Sequence, residues 1–576
     1  MASPRTVRLA ASWSALLLLL GACTSESAEP ELPPAEATAE EFVDAWNERD
    51  AGAMATLLAR PVPRFLRLFR DVLHGRPIDF EVSLGDVETT PGADDGGDAA
   101  GGAPPSATAA YSITYRVGDV TADEPLEGEL ELAYDAGEWA VEWVPSAMWP
   151  GYERATGIEL SYLWPKRAAI LDRSGRALAR GPASGRTYPF GAAAGSTVGH
   201  IGVLSRKEAA ESGRYEPGDL AGASGMEAAF DERLAGEPGV LLDVMRGSRT
   251  QKRVIRTAPE PGRPVKTTLD MRVQQAAAAA YGGTTGGAVV LDPATGDILA
   301  VVSSAELNPE NYVGARDIQP FNRALSGLYP PGSSLKVMTG AAALETDVVD
   351  LGTQLTGPAE YRGVRNFESG EFGSLDFATA VKFSVNTAFA QIAEDLGPKR
   401  LTRFADAFGF NRPPEMALGA ATSSFPRPED EGDLMWGSIG QAQVLATPLQ
   451  MATVAATIAN GGRRMEPRIS KQVKPAGERV VSRKTAATMT RLMESVVTGG
   501  TGVAARIAGV SVAGKTGTAE VDVNGKRMNH AWFVAFAPSG DPKLAVAVVS
   551  ELGGIGGQVA APLARAILQA TLPLVR

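Results

Sequence analysis

The sequence predicts a multidomain chain of α+β and mixed α/β structure, and three observations carry that expectation. At 576 residues the chain exceeds what one hydrophobic core organises, and about three or four domains are expected. Its front portion reads as helices followed by alternating strands, the order of an α+β domain. Near Pro150 the texture changes to short strands and turns, and later an apolar hairpin and small-residue helices run to the C-terminus. With 44% hydrophobic and 21% charged residues the chain reads as globular. A net charge of −12, with no concentrated basic patch, argues against nucleic acid as a partner. His74, His200 and His530 are far apart and there is one cysteine, so a zinc hydrolase has almost no ligands to draw on.

The first residues read as an address. Arg5 and Arg8 precede an apolar run from Leu9 to Leu20, too short for a comfortable membrane span, so residues 1–22 are expected to be a signal peptide. Leu20-Gly21-Ala22-Cys23 resembles a bacterial lipobox, which implies cleavage before Cys23, a diacylglycerol on its sulfur, and a protein anchored to the outer face of the cytoplasmic membrane. An ordinary secretory signal with an incidental cysteine is the alternative. The lack of any other thiol suits an extracytoplasmic protein built without disulfides.

Residues 23–37, rich in Pro, Glu, Ala and Ser, read as a tether. Residues 38–147 follow as a small domain. Thr38 and Glu41 form a capping box, and Phe42, Val43, Ala45 and Trp46 continue at helical spacing, predicting a helix from about 38 to 49. Further helices are expected near Ala53–Ala59 and Arg64–His74. Alternating strands follow near Phe80–Val87, Ala109–Val117 and Leu126–Tyr134, with Trp139, Val141 and Trp143 on one face of the last. Pro91 to Ser106 reads as a flexible loop. This element order is similar to the small cone-shaped domain of the nuclear transport factor 2 type. Trp46, Trp139 and Trp143 offer a ligand-cavity lining, although core packing is the simpler reading, and the domain is assigned no chemistry.

Residues 148–265 form the next portion. Arg167 to Gly175 reads as a strand ending in a polar turn, Gly225 to Gly236 as an amphipathic helix, and Thr267 to Asp270 as a strand. Gly287–Leu291 and Ile298–Val302, joined by Asp292-Pro293-Ala294-Thr295-Gly296, then form a hairpin within a last domain, residues 266–576.

Three polar triplets punctuate that domain. Ser333-Ser334-Leu335-Lys336 follows Tyr329-Pro330-Pro331-Gly332, so Ser333 falls in the first turn of a helix whose unpaired N–H groups favour negative charge on its oxygen, with Lys336 on the same face. Alone, Ser-x-x-Lys is a chance-level motif. Ser384-Val385-Asn386 and Lys515-Thr516-Gly517-Thr518 follow in order, and the three together are far more specific. With Asn322-Arg323, Ile439-Gly440-Gln441, Thr447-Pro448-Leu449-Gln450, Ala459-Asn460-Gly461-Gly462 and Gly499-Gly500-Thr501, they make residues 165–576 resemble the class B penicillin-binding proteins. That implies a penicillin-binding transpeptidase fold, an antiparallel sheet between helical layers, preceded by a β-rich pedestal or dimerisation-type domain and a small α+β cone-like domain. Ala168 and Ala442 depart from the family, where glycine is commoner.

To attack a carbonyl Ser333 must lose its proton, and with no histidine nearby in sequence Lys336 is the candidate base. A lysine serves only when neutral, so desolvation and a neighbouring positive charge must lower its pKa, and Lys515 supplies that charge if the two segments adjoin. Ser384 and Asn386 alternate across one residue, so a bend between helices points both into the cleft. Lys515 to Thr518 reads as an edge strand beside which a peptide can lie, with Gly517 allowing close approach. His530 is read as structural, at the start of the strand through Phe536, and Glu520 and Asp522 as part of the turn before it.

By the resemblance, Ser384 relays the proton to the leaving amine and Asn386 binds the substrate amide and orients Lys336. Thr516 and Thr518 hold the terminal carboxylate with Lys515, and the N–H groups of Ser333 and Thr518 form an oxyanion hole. The implied activity is a serine D,D-transpeptidase that cross-links peptidoglycan stem peptides, is acylated by β-lactams, needs no cofactor or metal, and works among other cell-wall synthesis proteins. Rivals remain on the same triplets: a D,D-carboxypeptidase differing only in acceptor, a β-lactamase, for which no Glu-x-x-Leu-Asn segment follows Asn386, and a non-catalytic penicillin-binding scaffold or sensor. A glycosyltransferase domain does not fit the length or pattern of residues 24–150.

Overall fold

A computed structural model describes residues 32–60, 78–92, 103–314 and 321–575. The signal segment with Cys23 and the helix expected over Arg64–His74 lie outside the described residues, as does most of the Pro91–Ser106 loop. The chain divides into two compact units. One takes the described residues up to Ser161 together with Val240–Thr257, and the other takes Tyr162–Gly239 and Ala258 onward.

In the first unit a helix spans Ala35–Asn47, beginning a turn ahead of the expected Thr38 and without a side-chain cap. Ala35 and Ala39 are buried along with Phe42, Val43 and Trp46, so the apolar stripe runs further back than the capping-box signal indicates. A short helix, Ala51–Thr56, is capped by Asp50, whose carboxylate accepts from the N–H groups of Gly52 and Ala53. Strands Ile78–Thr90, Ser106–Val117, Leu126–Asp135 and Glu138–Glu142 then pair antiparallel in that spatial order. Alternation sends Tyr111, Ile113 and Tyr115 inward with Trp139, Val141 and Trp143. A second sheet joins Gly157–Leu163 to the hairpin Gly239–Arg246 and Arg249–Arg256.

The second unit opens with short strands, Ile170–Leu171 pairing with both Ala177–Ala179 and Val265–Lys266. The helix expected over Gly225–Gly236 is two short ones, Gly225–Ala229 and Asp231–Ala235, broken at Phe230. Glu227 there is fully buried between Arg167 and Arg186, with Nε to carboxylate distances of 2.8 and 2.6 Å. The expected strand over Thr267–Asp270 ends early at Lys266, because Asp270 instead caps helix α1 (Met271–Tyr281), accepting from Arg272 N–H.

The main sheet has strands β1 (Gly286–Leu291), β2 (Ile298–Ser303), β3 (Ala513–Val523), β4 (Lys526–Ala537) and β5 (Leu544–Ser550), ordered β2-β1-β5-β4-β3 and antiparallel throughout. Strand alternation divides its side chains between two cores. Trp532, Val534 and Phe536 face helices α2 (Lys336–Glu345), α3 (Asn386–Ala407, interrupted at Gly397), α4 (Pro448–Ala459) and α5 (Arg483–Gly499). Ala531, Phe533 and Ala535 face α1 and α6 (Ala560–Thr571). The expected sheet between helical layers is thus observed, with β3 at an edge. Two expectations about β3 and β4 change. His530 lies inside β4, opposite Ala519, and Glu520 and Asp522 are strand residues opposite Asn529 and Arg527. The turn is Asn524-Gly525, both at positive φ, a tight hairpin that comes after Glu520 and Asp522 rather than at them.

Candidate active site

Ser333 sits in a 3-10 turn, Gly332–Leu335, that runs into α2. Its neighbours Gly332, Ser334 and Leu335 are buried, while Ser333 keeps partial access to solvent. Several contacts fix the turn from outside. Trp532 Nε1 donates to Pro330 O at 2.9 Å, and Gly332 N–H donates to Gly440 O at 2.8 Å. Gly332 has φ +52°, and a Cβ there would lie 2.7 Å from Thr518 O. On β3, a Cβ at Gly517 would lie 2.7 Å from Pro331 O and 3.1 Å from Ser334 N. The glycine expected to make room for a peptide therefore makes room first for the turn that carries Ser333.

Lys336 is 1% exposed. Its amine donates to Ser384 O at 2.8 Å and to Asn386 Oδ1 at 2.5 Å, stands 3.3 Å from the Ser384 hydroxyl, and lies 5.1 Å from the centre of the Phe389 ring. Ser333 Oγ donates to the same Asn386 Oδ1 at 3.5 Å, so this oxygen joins hydroxyl and amine. Asn386 is itself aimed: its Nδ2 donates to Arg365 O at 2.8 Å, which assigns the amide orientation. Ser384 adopts φ +61°, in the left-handed region, in the bend between helix Phe377–Lys382 and α3. That strained backbone turns both its hydroxyl and the Asn386 side chain toward Lys336.

Lys515, also 1% exposed, reaches the group from β3, its amine donating to Ser384 Oγ at 2.8 Å and Thr516 O at 3.0 Å. The Ser384 hydroxyl thus lies between two lysine amines. Burial, reinforced by the charge of Lys515, holds the Lys336 amine well below the ordinary lysine range. Burial alone brings Lys515 down to about 7. The sequence names both causes, but desolvation leads and the neighbouring amine comes second.

The Thr516 hydroxyl bonds that of Thr501 at 2.7 Å, and Thr518 Oγ1 accepts from Gly556 N–H at 3.2 Å. Sequence reasoning gave Thr501 no role, although it stands in a Gly-Gly-Thr segment already singled out. Nor did it foresee the Arg365 carbonyl, a backbone group that leaves no signature in residue type. Ala442, where the family favours glycine, has φ +56°, which accounts for that preference. His530 stays outside the cluster, its Nδ1 accepting from Leu552 N–H at 3.1 Å. Among the described residues no group of three or more His, Cys, Asp or Glu is placed to hold a metal ion.

The penicillin binding protein transpeptidase domain family matches residues 286–569, and the penicillin-binding protein dimerisation domain family matches residues 181–267. The peptidoglycan D,D-transpeptidase PbpA of Mycolicibacterium smegmatis is 39% identical over 362 residues, 54% of this chain and 73% of that protein. Among solved structures, penicillin-binding protein A from Mycobacterium tuberculosis as its penicillin G acyl-enzyme complex is 31% identical with a TM-score of 0.58, covering 71% of this chain and 99% of that one. Pseudomonas aeruginosa PBP2 in complex with WCK 5153 is 29% identical with a TM-score of 0.62, covering 72% and 97%. A transpeptidase domain behind a dimerisation domain, and relatives of this identity and coverage, show that the chain belongs to the class B penicillin-binding proteins.

Proposed function

We propose that this chain is a serine D,D-transpeptidase that cross-links peptidoglycan stem peptides through an acyl-enzyme and is the target of β-lactams. The observation that supports it best is the convergence of two buried lysine amines on Ser384 Oγ, with Asn386 Oδ1 linking Lys336 to Ser333. Ser333 attacks the carbonyl of the penultimate D-Ala while Lys336, kept neutral by burial, takes the hydroxyl proton. The N–H groups of Ser333 and Thr518, on segments that nearly touch, stabilise the tetrahedral oxyanion. Ser384 passes the proton to the departing D-Ala amine. An amine of a second stem then attacks the acyl-enzyme by the reverse path and frees Ser333. Lys515, Thr516 and Thr518 hold the terminal carboxylate at the β3 edge, and Gly517 keeps the Ser333 turn close beside it.

The proposal extends to the rest of the chain. Residues 1–22 are a lipoprotein signal, Cys23 carries the lipid, and 23–37 tether the protein to the outer face of the membrane. No helix of the described residues is long and apolar enough to cross a membrane. Residues 38–147, with helices ahead of an antiparallel sheet, form a domain of the nuclear transport factor 2 type, 148–265 a pedestal, and 266–576 the transpeptidase domain.

The test is to label the protein with a fluorescent penicillin and map the adduct by mass spectrometry. A stable adduct on Ser333, lost in Ser333→Ala, is expected. An adduct elsewhere, or none, overturns the reading, and rapid turnover of the adduct points to a β-lactamase. In cell fractions the labelled band should sediment with membranes and leave them in Cys23→Ala. A band that stays membrane-bound in that variant overturns the lipid anchor.

A further inference from the structure

Glu551 takes no part in the chemistry above, yet it is bonded to the segment that leads into Ser333 and continuous with a loop that touches Thr518. It follows β5, and its carboxylate accepts from Arg323 Nε at 2.9 Å and from the Tyr329 hydroxyl. Arg323 is itself held: its Nη1 donates to Ser304 O at 2.5 Å, its backbone N–H donates to Ser303 Oγ at 2.8 Å, and Asn322 caps its short helix. Tyr329 is 7% exposed and its backbone pairs in both directions with Ala446, at 3.0 and 2.8 Å. From Tyr329 the chain passes through Pro330, Pro331 and Gly332 into Ser333. Two prolines leave that passage few free torsions, so the anchoring of Tyr329 fixes where Ser333 stands.

Toward the other side of the site, Glu551 begins a glycine-rich loop laid against β3 and β4. Gly554 N–H donates to Asn529 O at 3.0 Å and Gly556 N–H to Thr518 Oγ1 at 3.2 Å. Leu552 N–H donates to His530, whose ring stands edge-on to Tyr329 with centroids 5.2 Å apart. The Glu551 backbone N–H is tied to Thr285 O at 2.8 Å, and its carboxylate is 21% exposed. One residue is therefore bonded to the base of the nucleophile segment and covalently continuous with the loop that touches Thr518.

We propose that Glu551 is a positioning residue for acyl transfer: oriented by Arg323, it grips Tyr329 and anchors the 552–557 loop, and so sets Ser333 against the Lys515–Thr518 strand. It acts through Tyr329 and touches no reacting atom. The inference rests on Ser333 being the nucleophile, as proposed above.

Full-length wild type, Glu551→Ala, Glu551→Gln, Tyr329→Phe and the double variant Glu551→Ala with Tyr329→Phe are compared in acylation by fluorescent penicillin, varying its concentration to separate the first-order acylation constant from the non-covalent affinity. Glu551→Ala and Tyr329→Phe should each lower the acylation constant about tenfold and change affinity less than about threefold. Glu551→Gln keeps an acceptor for the tyrosine and should recover most of the rate. The double variant should be no slower than Glu551→Ala, because one contact carries both effects. Acylation of Glu551→Ala at the wild-type rate, a loss confined to affinity, or a double variant slowed by the product of the single effects overturns the inference. If Glu551→Ala does not fold, Tyr329→Phe decides: a wild-type acylation constant in that variant overturns it equally. Wild type that is not acylated on Ser333 fails instead the reading on which the inference rests.

Discussion

The base proposed for Ser333 can serve only as the free amine, and burial is the leading cause that lowers the pKa of Lys336. The pKa of Lys336 is well below its ordinary value, and that of Lys515 falls from 10.5 to about 7. In the unfolded chain both amines titrate near the ordinary lysine value. Between about pH 7 and 10.5 the folded chain thus binds fewer protons at Lys515 than the unfolded chain does, so stability rises with pH through this window and the cost of burial is greatest below it. One such group contributes a slope of about 1.4 kcal/mol per pH unit. Lys515→Met removes it. In urea denaturation at about pH 8, 9 and 10 the variant should be favoured over wild type most at the lowest pH, with the difference shrinking by about 1.4 kcal/mol per unit. A difference independent of pH would mean that folded Lys515 stays protonated. The identities of the five polar residues in this cluster were legible in the sequence because each stands in a triplet. The left-handed backbone of Ser384 and the carbonyl of Arg365 that aims Asn386 were not, since both depend on the path of the main chain.

At the level of elements, the site is an edge strand pressed against a turn. β3 was readable as an edge from its small residues, and the hairpin of β1 and β2 from its Asp-Pro-x-x-Gly turn. The length of β3 was missed because polar Glu520 and Asp522 suggest a turn, although Asn524-Gly525 marks the turn more strongly. Likewise the helix broken at Phe230 shows continuous amphipathic spacing in the sequence, with no glycine or proline to mark the break. Gly517 joins the two elements. Because its Cβ direction runs into Pro331 O at 2.7 Å, Trp532 Cβ at 2.9 Å and Ser334 N at 3.1 Å, Gly517→Ala must push the Ser333 turn away from β3. Overpacking of this kind costs about 1–3 kcal/mol, and a displacement of about 1 Å in a catalytic group lowers rate about a hundredfold. The variant should remain folded by circular dichroism yet acylate with penicillin about a hundred times more slowly. Wild-type acylation would show that the turn and strand are not held by this contact.

On the scale of the whole molecule, the two cores of the second unit are built entirely from its own residues, from Ile170 to Leu568. The hairpin Val240–Thr257 is an excursion from it: Gly239–Arg246 pairs with Gly157–Leu163, and Leu242, Val244 and Ile255 are buried in the first unit. The excursion leaves and returns at one place, since Thr257 N–H donates to Val240 O at 3.0 Å and Val240 N–H to Thr257 Oγ1 at 2.8 Å. Residues so paired have Cα atoms about 5 Å apart, a gap that a short Gly-Ser link closes. A chain of residues 162–239 linked in this way to 258–576 should therefore fold and acylate with penicillin within about threefold of the full-length rate, because nothing in the Ser333 cluster is removed. A chain that simply begins at residue 162 and keeps the hairpin should fare worse, since the hairpin loses its partner strand and exposes an unpaired edge and an apolar face. Gel filtration of both chains, with penicillin labelling of the monomer peak, separates the outcomes. If the linked chain aggregates or labels slowly while the chain starting at residue 162 behaves well, then the hairpin belongs energetically to the transpeptidase unit, and the division of the molecule at these residues is wrong.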